Sequence, residues 1–117
     1  MKNSELTQLY WLKKEIRLEE GRLRELDMEG GREADALWYR IYRRKERCAA
    51  QVMEMEGYID SIDDSITRQI FVYRYAYGMN WVQIAHILGG GNTADGVKKR
   101  CQRWLAAHPG TCPLLSR

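Results

Sequence analysis

The side chains best suited to chemistry lie in one short basic segment near the end of the sequence. Between residues 93 and 103 the polar side chains are Thr93, Asp95, Lys98, Lys99, Arg100, Gln102 and Arg103. Lysine and arginine neutralise phosphates and donate hydrogen bonds to guanine, glutamine can pair with adenine, and threonine can contact phosphate or a thymine methyl group. This combination predicts a surface that binds double-stranded DNA. The sequence shows no nucleophile paired with a base, so we expect neither an enzyme activity nor a cofactor.

The same basic residues could instead only solubilise the outer face of a small helical bundle. Any amphipathic helix needs such a polar face, so the charges alone do not decide between the two interpretations. The order of the surrounding features favours DNA binding, because a short helix, a glycine turn and a basic helix form a helix-turn-helix. Helical spacing places the inward stripe of the basic helix at Val97, Cys101, Trp104 and Leu105.

Capping signals divide the region after residue 60 into three short helices. Ser61, with Asp64 three residues later, predicts a capping box that opens the first helix, and Gly78 should end it. The buried face of this first helix is expected at Ile66, Ile70 and Tyr73.

The second and third helices have their own start and stop signals. Asn80 and Gln83 predict a capping box that opens a helix over residues 81–88, and Gly89 should terminate it. After the glycine turn, Asn92 or Thr93 is expected to cap the third helix, which ends at residues 108–109. The inward side chains expected on the second helix are Ile84, Ala85 and Leu88.

Residues 74–105 resemble the region-four helix-turn-helix of bacterial sigma factors through the sequence RYAYGMNWVQIAHILGGGNTADGVKKRCQRWL. The Trp-x-x-Ile-Ala core, with GGGNTAD before the basic helix, is more specifically similar to sigma-like regulators of phages and prophages, of the RinA and ArpU kind. The turn GGGNTAD is longer than that of typical region-four sequences, and no sequence like the core-polymerase-binding region of a complete sigma factor is evident. The resemblance therefore implies a regulator of phage genes that acts beside sigma, with RNA polymerase as a further partner.

The first 60 residues show the apolar periodicity of two long helices. One helix is expected over residues 5–28, and a second stripe runs from Leu37 to Ile62. Gly30 and Gly31 separate the stripes, so the pattern predicts an antiparallel, coiled-coil-like hairpin of two helices of matching length. The predicted seam sets Leu9, Leu12, Ile16 and Leu23 against Leu37, Ile41, Cys48 and Val52.

The densest basic run of the sequence lies on the second hairpin helix. It consists of Arg40, Arg43, Arg44, Lys45 and Arg47. Because these residues are spread around the helix, with Glu33, Asp35 and Glu46 nearby, a solvated and ion-paired face is the favoured interpretation. A second nucleic-acid contact through Arg40, Arg43, Arg44 and Arg47 is the alternative. The aromatic side chains of the hairpin add apolar surface, so we expect it to pack on the C-terminal domain or on a second copy of the chain, as a dimer, or to bind polymerase.

Composition limits the class of protein. A chain of 117 residues suits one globular core with a helical extension. Both prolines follow His108 and no strand-like alternation is present, so the fold class is all-α. Residues 1–60 carry 12 basic and 13 acidic side chains and residues 61–117 carry 7 and 3, giving net charges of −1 and +4. The positive second half suits a partner that carries phosphates.

Other classes of function have little support in the sequence. No apolar stretch approaches the roughly 20 residues that cross a bilayer, so no membrane contact and a cytoplasmic location are expected. The resemblance to phage regulators implies that this cytoplasm is that of a bacterial host. The cysteines, Cys48, Cys101 and Cys112, form neither an even set nor a C-x-x-C pair, which predicts reduced thiols. With His86 and His108 they lack the spacing of metal ligands, so no metal site is expected.

Three functional interpretations remain open. The leading one is a sequence-specific, DNA-binding transcription regulator. The second is a recognition subunit for phage DNA packaging, similar to a small terminase subunit, and the third is a helical protein-interaction adaptor. All three share one division of the chain: a hairpin at residues 1–60, a helix-turn-helix domain at residues 61–108 and a tail at residues 109–117.

Overall fold

The computed structural model describes residues 1–108, and every regular element in that range is a helix. The predicted all-α fold is therefore confirmed. No helix in that range is long and apolar enough to span a bilayer. The tail at residues 109–117 lies outside the described residues. The helices are α1 (Asn3–Leu6), α2 (Leu9–Glu29), α3 (Arg32–Asp60), α4 (Ser65–Phe71), which continues as a π-helical turn (Val72–Ala76), α5 (Trp81–Leu88) and α6 (Ala94–Ala107).

Helices α2 and α3 pack together as the antiparallel hairpin that the periodicity predicts. The chain reverses at Gly30 and Gly31, whose φ angles of 70° and 101° carry no steric cost for glycine. Cross-hairpin contacts run in opposite directions along the two helices, because Lys13 pairs with Glu56 while Glu15, further along α2, contacts Cys48. The expectation of matching lengths is wrong, since α2 has 21 residues and α3 has 29.

The seam of the hairpin contains the expected apolar side chains and one buried charge. Glu19 is 7% exposed, and its Oε1 accepts a hydrogen bond from Arg44 Nε at 3.1 Å. An ion pair therefore partly compensates the charged position in the middle of the stripe, since the other oxygen, Oε2, is buried without a hydrogen-bond partner among the described residues. The expected seam residues that are buried are Leu9, Leu23, Ile41, Cys48 and Val52, while Leu12, Ile16 and Leu37 are half-buried.

The second half of α3 extends past α2 and packs into the C-terminal helices. Val52, Met55 and Ile59 share a single apolar core with side chains from α4, α5 and α6. The predicted hairpin and the predicted helix-turn-helix domain are thus joined by common packing. The buried members of this core are Met1, Leu6, Leu9, Val52, Met55, Tyr58, Ile59, Ile62, Ile70, Phe71, Tyr75, Ile84, Ala85, Val97 and Cys101.

The first hairpin helix, expected from residue 5, begins at Leu9 as α2 and is preceded by the separate short helix α1. The helix is interrupted at residues 7 and 8, between α1 and α2, where the Thr7 hydroxyl donates to the Ser4 carbonyl at 3.0 Å. Leu6 and Leu9, on either side of this interruption, are both fully buried. The N-terminal segment thereby completes the core beneath the C-terminal helices.

Two expectations for α4 are wrong. Asp64, not Ser61, caps this helix: its side chain accepts from the Thr67 backbone N–H at 3.1 Å. The later start rotates the buried face, so Ile66 is 44% exposed. After Phe71 the hydrogen bonds lengthen to the i→i+5 pattern, which inserts an extra residue in the turn and buries Tyr75 in place of the expected Tyr73.

Candidate nucleic-acid interface

Helix α5 begins with the capping box that the sequence predicts. The Asn80 side chain accepts from the Gln83 backbone N–H at 2.8 Å, and the Gln83 side chain accepts from the Asn80 backbone N–H at 3.0 Å. Arg74 lies over the indole of Trp81 at 4.4 Å from the ring centroid, so the turn before α5 is held to its first residue. The capping box and the contact of Arg74 with Trp81 both hold the start of α5, and this helix buries Ile84 and Ala85 in the core.

The turn between α5 and α6 uses three consecutive glycines with positive φ. Gly89, Gly90 and Gly91 have φ angles of 62°, 58° and 81°, a region that other residues enter at a cost. Asn92 donates from its side chain to the Gly89 carbonyl at 2.7 Å. Thr93 is the cap of α6, because its hydroxyl accepts from the Gly96 N–H at 3.0 Å. The turn thus sets where α6 begins and which way it leaves.

Helix α6 rests on the core through the apolar stripe that the spacing predicts. Val97 and Cys101 are buried, and Trp104 packs edge-on against both Tyr58 and Phe71, with ring centroids 5.6 and 5.3 Å apart. This packing leaves the opposite face of α6 in solvent. The exposed members of the predicted interface are Thr93, Asp95, Lys98, Lys99, Gln102 and Arg103, whereas Arg100 is half-buried.

Intramolecular ion pairs divide the four basic residues of α6 into two kinds. Lys99 pairs with Asp95 one turn earlier at 2.9 Å, and Arg100 pairs with Asp64 of the α4 cap at 2.7 Å. Lys98 and Arg103 form no ion pair with any residue in the range 1–108. Those two side chains are therefore available to an anionic ligand without breaking an existing pair.

The contact between α6 and α4 is a small polar network. Asp64 Oδ2 accepts from Arg100 Nη2, from the Thr67 backbone N–H and from the Thr67 hydroxyl, while Arg100 Nε donates to Thr67 Oγ1 at 3.1 Å. The hydrogen bonds from Thr67 and then from Arg100 lower the pKa of Asp64 from 3.8 to about 2. The carboxylate is ionised at any physiological pH.

Three arginines of the second basic cluster form one stripe of α3, while Arg44 and Lys45 lie off that stripe. Arg40, Arg43 and Arg47 are exposed and three or four residues apart, so they share a face. Arg44 is directed to the seam, where it pairs with Glu19. The predicted ion-paired character therefore holds for Arg44, while its three neighbours remain an exposed positive stripe along the hairpin.

The two described cysteines are free thiols in polar contacts. Cys48 donates to Glu15 Oε2 at 2.8 Å, and burial together with that carboxylate raises the pKa of the thiol to about 11. Burial also raises the pKa of Cys101, which lies 3.4 Å from the Tyr75 hydroxyl. Neither group is a thiolate at neutral pH. Residues 1–108 contain no cluster of three side chains suited to hold a metal ion, and Cys112 lies beyond them.

One functional contact was missed by reasoning on sequence, namely the link from Arg100 to Asp64 and Thr67. Asp64 was expected only as the second member of a capping box with Ser61, and Thr67 was not singled out. The local pattern of an acidic cap followed three residues later by a hydroxyl can be read from the sequence. The partner on α6 cannot, because Arg100 lies 36 residues from Asp64.

Comparisons of this chain with family models, with curated proteins and with solved structures gave no match. The case for a function therefore depends on the geometry of α5, the glycine turn and α6, and on the resemblance of residues 74–105 to a known helix-turn-helix. Of these, the geometry supplies the residues that can be tested one by one.

Proposed function

We propose that the protein is a sequence-specific, DNA-binding transcription regulator that inserts α6 into the major groove. The observation that supports this most strongly is a capped, core-supported α6 whose outer face carries Lys98 and Arg103, neither of which forms an ion pair with any of residues 1–108. A helix of 14 residues is about 21 Å long, and the major groove admits one helix. The exposed face is thus of a size and charge that suit duplex DNA.

The residues of α6 would divide between positioning on the phosphates and reading of bases. Lys98 and Arg103 neutralise phosphates or donate to guanine, and Gln102 offers the paired donor and acceptor that adenine presents. At the start of the helix, free backbone N–H groups and the positive end of the helix dipole add to the attraction for phosphate. Asp95 and Lys99 neutralise each other, so they add little net charge to the interface.

The hairpin would serve self-association or contact with RNA polymerase in the cytoplasm of a bacterial host. Its exposed apolar side chains include Trp11, which is 65% exposed, and Tyr39, which is 61% exposed. Exposed aromatic groups are enriched in protein interfaces. In a dimer, two copies of α6 would reach half-sites about 34 Å apart on the duplex. The resemblance of residues 74–105 to sigma-like regulators supports a role at phage or prophage promoters.

The proposal is tested by the salt dependence of DNA binding. We expect the wild-type protein to bind a random-sequence duplex pool at low ionic strength, with affinity that falls linearly on a log–log plot against salt. Replacing Lys98 and Arg103 together by alanine should reduce that slope by about two units, because each lost phosphate contact removes about 0.9. Fluorescence anisotropy over a range of salt concentrations measures both quantities.

The matched control removes two positive charges elsewhere. Arg22 and Arg24 are exposed on α2, so their double alanine variant has the same change in net charge as the α6 variant. Its slope should stay within about half a unit of wild type if binding is local to α6. Wild-type protein that shows no salt-sensitive binding to duplex DNA would refute the proposed function and favour a protein-interaction adaptor.

A further inference from the structure

The Arg100 side chain turns away from the outer face of α6, toward the first turn of α4. One edge of its guanidinium, formed by Nε and Nη2, is engaged by Thr67 Oγ1 at 3.1 Å and Asp64 Oδ2 at 2.7 Å. The same carboxylate oxygen caps α4 through the Thr67 N–H. A single side chain of α6 is therefore tied to the group that starts another helix. We call this set, Asp64, Thr67 and Arg100, the α4–α6 bridge.

We propose that Arg100 is a positioning residue, which sets the orientation of α6 for DNA and does not itself contact phosphate. This inference depends on the proposed function, because the property that is positioned is the contact of α6 with DNA. It separates Arg100 from Lys98 and Arg103, although all three belong to one basic segment. It also makes Asp64, an acidic residue on another helix, a contributor to the binding of an anion.

The anchoring of the bridge supports this role. Thr67 is 3% exposed and belongs to α4, so its hydroxyl is held in place by the core. The pair of Lys99 and Asp95 differs, because both side chains lie on α6 and are largely exposed. A pair within one helix cannot fix that helix relative to another. The bridge joins two helices through a buried group, so it can.

The position of Arg100 along α6 also fits a role in orientation. Val97, Arg100 and Trp104 lie three and four residues apart on one stripe of α6, from which Arg100 contacts Thr67 and Trp104 contacts Phe71 of α4. The apolar members of the stripe supply attraction without direction, whereas the paired hydrogen bonds of Arg100 have a defined geometry. The bridge can thus fix the rotation of α6 about its own axis, on which the aim of Gln102 and Arg103 depends.

A competing arrangement is available beside the bridge. An open groove with a volume of about 570 Å³ runs along α6 and is lined by Arg100 and Arg103 together with Thr93. A phosphate in this groove could draw Arg100 away from Asp64. The two arrangements predict opposite effects of removing the Asp64 charge: weaker DNA binding if Arg100 positions the helix, and tighter binding if Arg100 is a phosphate ligand that Asp64 restrains.

The experiment compares Asp64→Asn and Arg100→Gln with Asp63→Asn. Asparagine remains a good helix cap, and Asp63 is an exposed neighbour whose replacement changes the net charge in the same way as Asp64→Asn does, whereas Arg100→Gln changes it in the opposite direction. Binding is measured on a duplex enriched by the wild-type protein from a random pool, and on the starting pool. We expect Asp64→Asn and Arg100→Gln each to weaken binding to the enriched duplex by about three- to tenfold, with an unchanged salt slope.

Further readouts separate positioning from loss of stability. Binding to the starting pool should change by less than about twofold, because non-specific binding depends on charge and less on aim. Asp63→Asn should not weaken either interaction, and the double variant of Asp64 and Arg100 should be no worse than the poorer single variant. Thermal unfolding above the assay temperature for all variants ensures that folded protein is compared.

Two results would overturn the inference while leaving the proposed function intact. These are tighter binding by Asp64→Asn, or a salt slope that Arg100→Gln lowers by about one unit. Wild-type protein that neither enriches a duplex nor binds the pool in a salt-sensitive way would refute the proposed function and the inference together. The two failures are thus told apart by the wild-type measurement alone.

Discussion

The molecule presents two basic surfaces, one on the hairpin and one on α6, and they differ in how the fold supports them. The stripe of Arg40, Arg43 and Arg47 lies midway along α3, a helix of 29 residues that continues in both directions. The basic face of α6 belongs to a short helix that begins directly after the glycine turn, with its first helical turn at the surface. The hairpin stripe contains as many exposed basic residues as α6 does. Of these two surfaces, only that of α6 lies next to an exposed helix N-terminus.

The difference teaches that the density of positive charge is a poor guide to a nucleic-acid interface. Charge supplies long-range attraction wherever it lies, but recognition requires side chains and backbone donors that can enter a groove. On α6 the cap at Thr93, the turn and the α4–α6 bridge all act on one short segment. On α3 the corresponding residues run along a flank, and Arg44 is already used to neutralise Glu19.

The largest expected effect comes from reversing charge on each surface in turn. Replacing Lys98 and Arg103 by glutamate should weaken duplex binding by about 100-fold or more, because two attractive contacts become repulsive. The same change at Arg43 and Arg47 alters the net charge equally and should cost about fivefold or less. Anisotropy titration at one salt concentration gives both numbers. An equal or greater loss for the hairpin variant would move the interface to α3 and reverse the comparison.

A second contrast uses one glycine from each region. Gly89 has φ 62° and ψ −152°, a conformation that essentially only glycine adopts, and a Cβ there would meet no atom within 4 Å. Gly89→Ala should therefore lower the free energy of unfolding by about 1–3 kcal/mol through backbone strain alone. Gly21 lies inside α2, where its Cβ would meet only Arg24 Nη2, at 3.8 Å. Gly21→Ala should raise it by about 0.5–1 kcal/mol.

Urea unfolding followed by circular dichroism measures both changes, and their opposite signs make the pair its own control. Gly89→Ala should also weaken DNA binding under conditions in which the variant remains folded, since the turn sets the direction of α6. Gly21→Ala should leave DNA binding unchanged. If Gly89→Ala raised the free energy of unfolding, as Gly21→Ala should, the turn would be less constrained than its φ angles indicate.

The sequence was sufficient wherever one local rule determines the structure. Periodicity predicted the hairpin and most of its seam, the cap at Asn80 was readable from its pairing with Gln83, and the cap of α6 was narrowed to Asn92 or Thr93. The inward face of α6 followed from the same spacing. These features depend on neighbours within one or two turns, which is the range over which residue pattern and backbone geometry are coupled.

The sequence was insufficient where tertiary packing chooses between local options. Ser61 and Asp64 are both good caps, and the structure uses Asp64, which is the residue that Arg100 can also reach. The expected burial of Tyr73 assumed 3.6 residues per turn, and the π-helical turn over residues 72–76 changes that count. The apolar stripe of the second hairpin helix reaches Ile62 in the sequence, but the pattern does not show which side chains of the C-terminal helices its last part packs against.

The smallest expected effect concerns pH and again contrasts the two regions. Because Thr67 and Arg100 hold the pKa of Asp64 at about 2, below its ordinary value of 3.8, this group stabilises the folded state above pH 3.8. The stabilisation is lost as the pH falls through the folded-state pKa, since the unfolded chain takes up the proton first.

Asp64→Asn should therefore show a smaller loss of stability between pH 5 and about pH 3 than wild type does. Asp27→Asn, at an exposed acid near the end of α2, serves as the hairpin control and should follow the wild-type curve. Urea midpoints at the two pH values measure the difference, and an identical pH dependence in wild type and Asp64→Asn would show that the α4–α6 bridge does not stabilise the ionised carboxylate.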